Sequence, residues 1–126
     1  MRCCRVIVEG APFVNEEGFS YKIPELLDQY IVRGSMVYVP FGKGDKIKTG
    51  FVIEVLEDEE NDHRLKDVLM VQHLHPVISD DMMALCRFVA DYYACALVYA
   101  IKQIVPKYVL NNAFVAFEDV KTGHVV

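Results

Sequence analysis

The chain has 126 residues, 53% of them hydrophobic, which suits one domain that buries roughly two-thirds of its unfolded surface and folds without disulfides. Thirteen basic against eighteen acidic residues leave a net charge of −5. That excludes a protein that coats nucleic acid through charge alone, so any nucleic-acid contact must be local.

Four cysteines, at positions 3, 4, 86 and 95, form no C-x-x-C pair, and no signal peptide precedes the first strand-like run. A zinc knuckle and a secreted disulfide scaffold are therefore not expected. No apolar run approaches the ~18 residues of a membrane span. Reduced thiols in a soluble, cytoplasmic protein are the expectation.

In chain order, residues 3–8 read as a first strand and residues 19–23 as a second that Pro24 closes, with a polar loop through Asn15, Glu16, Glu17 and Gly18 between them. Residues 35–39 and 50–56 alternate around a Gly- and Lys-rich turn. Pro40 and Gly42 punctuate the first of these runs, Gly42 and Gly44 tolerate positive φ, and Lys43, Lys46 and Lys48 put three cations within six positions. Bare backbone N–H groups and ammonium groups in such a turn favour an anion; the plainer alternative is a hairpin with a solvated lysine loop. After the acidic stretch 57–62, residues 65–73 supply a fifth β-rich run.

Ser79 is a good N-cap and Asp80 and Asp81 suit the positive end of a helix dipole, while Met82, Leu85, Cys86, Val89 and Tyr92 or Tyr93 follow near helical spacing. One face of this helix should pack on the sheet. Residues 94–105 keep a helical preference until Pro106 stops it, which predicts either one kinked helix or two helices with a break near Cys95. Asp91-Tyr92-Tyr93 reads as a helix end with partly buried tyrosines. Residues 114–117 suggest one further strand and residues 121–126 a fraying end.

Few residues here promise catalysis. There is no G-x-S-x-G elbow, and Cys3 and Cys4, beside Arg2 and Arg5, read as strand packing. His73 and His75, two apart, would share a strand face, but no third ligand is placed and no metal is expected. The acidic stretch 57–62 reads as a solvated loop rather than a cation site. Gly42-Lys43-Gly44-Asp45 lacks the spacing and the hydroxyl of a P-loop. The chain itself is expected to be non-catalytic, without ATP hydrolysis and without a cofactor.

Phe19-Ser20-Tyr21 with Pro24-Glu25, then Val37-Tyr38-Val39-Pro40-Phe41-Gly42-Lys43, Gly50-Phe51-Val52, Leu65-Lys66, and Ala90-Asp91-Tyr92-Tyr93 ending at Pro106, together resemble the N-terminal 3′-DNA-binding domain of primosomal protein N′, the replication-restart helicase PriA. V-P-F-G alone is a weak signal, but F-x-Y, V-P-F-G, L-K and A-D-Y-Y in this order form a fairly specific one. The resemblance implies a β-rich module with helical additions whose pocket receives the 3′-terminal nucleotide of a nascent strand at a stalled fork. It implies that Phe19, Ser20, Gly42 and Lys66 line that pocket, with Tyr21 and Lys43 close by. The sequence departs from the family pattern in three places. Glu16, Glu17 and Gly18 stand where a basic residue commonly precedes F-x-Y, Ser20 stands where some members have Asp, and Ala96 and Val98 replace a Pro and a Gly, so that the second helix should continue the first more smoothly.

The expected architecture is α+β, a small antiparallel sheet or partly open β-barrel of five to six strands with one or two packed helices. Residues 1–106 would form the 3′-DNA-binding domain, and residues 107–126 an extension or the start of a linker to absent domains. The resemblance implies as partners DNA with a free 3′ end, forked or branched DNA, other replication-restart proteins and single-stranded-DNA-binding protein. The alternative is a β-barrel protein-interaction module that binds no nucleic acid, since V-x-x-G-x-x-V-x-V, here from Ile31 to Val39, occurs in many such barrels.

Overall fold

A computed structural model of the protein describes residues 2–10, 17–57, 65–73 and 75–105. The strand expected at 114–117, the fraying end at 121–126, the proposed extension 107–126, and Pro106, Asn15, Glu16 and residues 58–62 of the acidic stretch lie outside the described residues. The rest is α+β, as the sequence indicates. Strands β1 (Arg2–Val8), β2 (Phe19–Lys22), β3 (Met36–Phe41), β4 (Lys46–Glu57) and β5 (Met70–Val71) precede helices α1 (Asp80–Tyr93) and α2 (Leu97–Ile104). The strands form one antiparallel, unclosed sheet in the order β2-β1-β4-β3-β5.

β4 starts earlier than the expected residues 50–56, because Lys46–Thr49 pair with Phe41–Tyr38. Ladder bonds need only backbone, and Ile47 and Thr49 alternate with the two lysines. The turn therefore shrinks to four residues, 42–45, and Lys46 and Lys48 belong to a strand. A bulge bends β4 further along: Arg5 pairs with Glu54 but Val6 with Val52, leaving Ile53 as an extra residue. Strict alternation would aim Val52 and Val55 at opposite faces; the bulge lets both join one core.

Both faces of the sheet are covered. On one, Cys4, Val6, Val8, Tyr21, Val37, Val39 and Val52 close on Ile31 and Val68. On the other, Ile7, Met36 and Phe51 meet Cys86 and Ala90 of α1 and Leu97, Ala100 and Ile101 of α2. Gly34 joins the two layers. Its carbonyl accepts from the N–H groups of Val77 and Ile78, and a Cβ on it would lie 1.9 Å from the Ile78 carbonyl oxygen at a backbone φ of +89°.

The expected strand 65–73 is corrected to two residues, and the reason is a change of partner. Lys22 N–H donates to the Lys66 carbonyl and Val68 N–H to the Lys22 carbonyl, whereas Leu69 N–H donates to Tyr38 and Gln72 N–H to Met36. One short segment thus leaves the β2 edge and joins the β3 edge, crossing the gap that keeps the sheet from closing.

At the start of α1 the Ser79 hydroxyl accepts from Met82 N–H at 3.1 Å. Its inward stripe is Met82, Met83, Cys86, Val89 and Ala90, which leaves Leu85 exposed. Tyr92 and Tyr93, expected to be partly buried, are 71% and 69% exposed. The smooth continuation into the second helix is also corrected. Ala94 takes the left-handed conformation at φ 51°, Cys95 N–H donates to the Ala90 carbonyl and Ala94 N–H to Asp91. This Schellman arrangement ends α1 without the usual glycine and frees α2 to pack on α1 and touch β1.

Candidate nucleic-acid interface

At the seam between the two sheet edges lies a concavity of about 280 Å³ lined by Phe19, Ser20, Tyr21, Pro40, Phe41, Gly42, Leu65 and Lys66. Three pieces of chain build it: β2, the end of β3 with its turn, and the crossing segment. Alternation along β2 sets the roles of its residues. Tyr21 is buried, Ser20 is exposed, and Phe19 is half-buried, its ring edge-on to Phe41 at 5.0 Å and 74°.

The Tyr21 hydroxyl donates to the Pro40 carbonyl at 2.8 Å, and the strand register explains why this bond exists. Met36, Tyr38 and Pro40 aim their carbonyls at the same edge of β3. The first two accept from Gln72 and Leu69 of the crossing segment, and the third lies beyond its reach. Proline has no N–H to leave unpaired at such an edge, so one phenol satisfies the site. Burial, followed by the charges of Cys4 and Asp45, pushes the Tyr21 phenol up to about 12, and it stays a neutral donor. Burial likewise pushes the Cys4 thiol up to about 12, with Cys3 adding and Arg2 opposing. A thiol so placed is packing, not a nucleophile.

Gly42 opens the turn at φ 74°, and a Cβ there would meet nothing within 4 Å. Glycine is favoured at this position by its backbone angle rather than by crowding, and main chain lies bare at the rim. The Gly42 carbonyl accepts from Asp45 N–H at 3.2 Å and from Lys66 Nζ at 3.3 Å. Lys66, half-exposed, also ion-pairs with the Asp45 carboxylate.

Of the six residues singled out in the sequence, Phe19, Ser20, Tyr21, Gly42 and Lys66 come together around this concavity, and Lys43 does not line it. The Tyr21 hydroxyl proton is already given to the Pro40 carbonyl. Sequence reasoning missed Pro40, Phe41 and Leu65 as lining residues, although all three adjoin residues it did choose. It also missed the pairing of Asp45 with Lys66, which no local pattern announces. His73 and His75 lie beyond the end of β5 and share no strand face. Among the described residues no three His, Cys, Asp or Glu side chains converge to hold a metal, and no helix is long and apolar enough to cross a membrane.

The chain is 32% identical over 107 residues to the replication restart protein PriA of Bacillus subtilis, a match that covers 84% of this chain and 13% of that protein. The chain thus spans a small part of the length of the curated relative it matches. The sequence profile described as the 3′DNA-binding domain (3′BD) matches residues 5–106, which take in β2 to β5, both helices and the concavity. The chain belongs to the 3′DNA-binding domain family of PriA.

Proposed function

We propose that this domain binds the 3′-terminal nucleotide of DNA at stalled or branched replication forks, as the N-terminal module of a replication-restart helicase. The observation that carries the reading is the concavity itself, where an aromatic ring, an exposed hydroxyl, a bare glycine and a lysine from three separate pieces of chain face one small space. Family membership supports the same ligand. Phe19 offers a face on which any base stacks. Gly42 lets main chain approach the sugar, the Ser20 hydroxyl both donates and accepts, and Lys66 gives a charge-assisted bond to the phosphate that links the terminal nucleotide to the strand or to its hydroxyl region. A strand that continued past its 3′ oxygen would meet the pocket wall. Steric exclusion then selects an end without reading base edges. A domain of net charge −5 would gain its affinity from this pocket and not from a charged surface.

Fluorescence anisotropy on matched oligonucleotides tests the reading. A strand with a free 3′-hydroxyl should bind at least about tenfold more tightly, or about 1.4 kcal/mol, than the same strand with its 3′ end closed in a hairpin loop. Equal affinity refutes end recognition. That result would favour the second reading, a protein-interaction module. The observation behind that reading is the outer face of α1, where Phe88 and Tyr92 stack at 6.1 Å and Tyr92 meets Tyr93 edge-on at 4.9 Å, all three exposed. Replication-restart proteins or single-stranded-DNA-binding protein are the proposed partners of such a face.

A further inference from the structure

We propose that Asp45 is a specificity residue of this pocket, which by neutralising Lys66 at the rim keeps out a 3′-phosphorylated terminus while admitting a 3′-hydroxyl. The inference rests on the reading of the concavity as a 3′-end site. Among the described residues Lys66 is the one cation that lines it, and the Asp45 carboxylate already holds that ammonium.

The arrangement is built into the turn. Asp45 sits at φ 50°, a conformation that Asp and Asn tolerate better than other residues with side chains. Its N–H donates to the Gly42 carbonyl, which also accepts from Lys66 Nζ. Carbonyl, carboxylate and ammonium therefore form one closed set at the pocket rim. The Asp45 charge also reaches Tyr21, whose phenol it helps to push up, so its influence extends inward from the rim.

The charges decide the outcome. Lys66 and Asp45 sum to zero, so a 3′-phosphate carrying about −1.5 to −2 at neutral pH finds no net attraction at Lys66, with the Asp45 carboxylate beside it. An ionised carboxylate only accepts hydrogen bonds. It is therefore compatible with a terminal hydroxyl, which donates, and repels a phosphate, which near neutrality mainly accepts. Without the Asp45 charge, Lys66 becomes an uncompensated cation suited to phosphate.

The test compares three 5′-labelled oligonucleotides of one sequence, ending in a 3′-hydroxyl, a 3′-phosphate or a closed hairpin, on wild type, Asp45→Asn and Asp45→Asn/Lys66→Gln. Asn keeps the shape and the tolerance of the left-handed turn; a melting curve checks this, and Asp45→Gly replaces it should the turn fail. Wild type should prefer hydroxyl over phosphate by about tenfold or more, and Asp45→Asn should reduce that ratio below about threefold, mainly through tighter phosphate binding. The double variant should regain no phosphate binding. An unchanged ratio in Asp45→Asn, a wild type indifferent to the phosphate, or phosphate binding gained by the double variant overturns the assignment. Failure of the underlying 3′-end reading shows separately, as a hairpin-closed oligonucleotide that binds wild type as well as the open 3′-hydroxyl strand, and that result removes the Asp45 proposal with it.

Discussion

Tyr21→Phe removes a single oxygen from a side chain only 4% exposed, and that oxygen ties together two strands that are not neighbours. β1 and β4 lie between β2 and β3 in the sheet, so the 2.8 Å bond from the phenol to the Pro40 carbonyl spans the open seam. The ring remains and packing is kept. What is lost is one buried hydrogen bond, worth about 0.5–1.5 kcal/mol net, with an added penalty because the Pro40 carbonyl is left without its donor. The expected destabilisation is about 1–2 kcal/mol, with Tm falling about 4 °C for each kcal/mol in a chain of 126 residues. An alkaline signature should accompany it. The folded phenol titrates near 12 against an ordinary 10, so between pH 10 and 12 the unfolded chain gives up a proton that the folded chain keeps. The Tyr21 contribution to stability is fully present below pH 10 and declines as pH rises through this window. Tyr21→Phe should lack that part of the decline. Cys4, raised from 9.0 to about 12, adds a similar loss from pH 9 upward, but in both proteins. Urea unfolding followed by circular dichroism at pH 7.5, 9, 10 and 11 measures both effects. An unchanged midpoint at pH 7.5 would refute the role given to this bond, and parallel alkaline slopes for the two proteins would refute a phenol held neutral by burial.

Lys66→Ala and Phe19→Ala should each weaken binding to a free 3′ end by roughly 1–3 kcal/mol, and Lys46→Ala by less; equal losses for both lysines in anisotropy titrations would point to a nonspecific electrostatic surface. Because the Phe19 ring packs on Phe41 and the core, its variant should also melt earlier in a thermal scan. Gly34→Ala should cost about 3 kcal/mol or more, since its Cβ would collide with backbone at Ile78; near-wild-type urea stability would contradict that close approach. Ala94→Gly should stabilise the chain by about 0.5–1 kcal/mol by relieving the left-handed backbone at φ 51°, read as a higher melting temperature. No DNA-stimulated ATPase is expected from this chain, and phosphate release that copurifies with it would overturn that expectation.

Much was legible from residues in a row, because strand alternation, an N-cap at Ser79 and a glycine turn after Pro40 are local signals carried by neighbouring side chains. Those signals placed the strand cores, the start of α1 and the α+β class, and the motif order suggested five residues that the fold gathers round one concavity. Local signals failed where the backbone answers to distant partners. Residues 65–73 look like one strand, yet half of the run bonds to Lys22 and half to Tyr38 and Met36, so only two residues form a strand. Ala94 carries no glycine to announce a break, and tertiary packing of α2 on α1 and β1 offsets its strained angle. Lys46 and Lys48 read as loop cations, although their backbone completes the ladder with β3. The same limit applies at the concavity: Tyr21 and Pro40 are 19 residues apart and Asp45 and Lys66 are 21 apart. No local pattern relates such pairs; they meet only because the sheet curls until its two edges face each other.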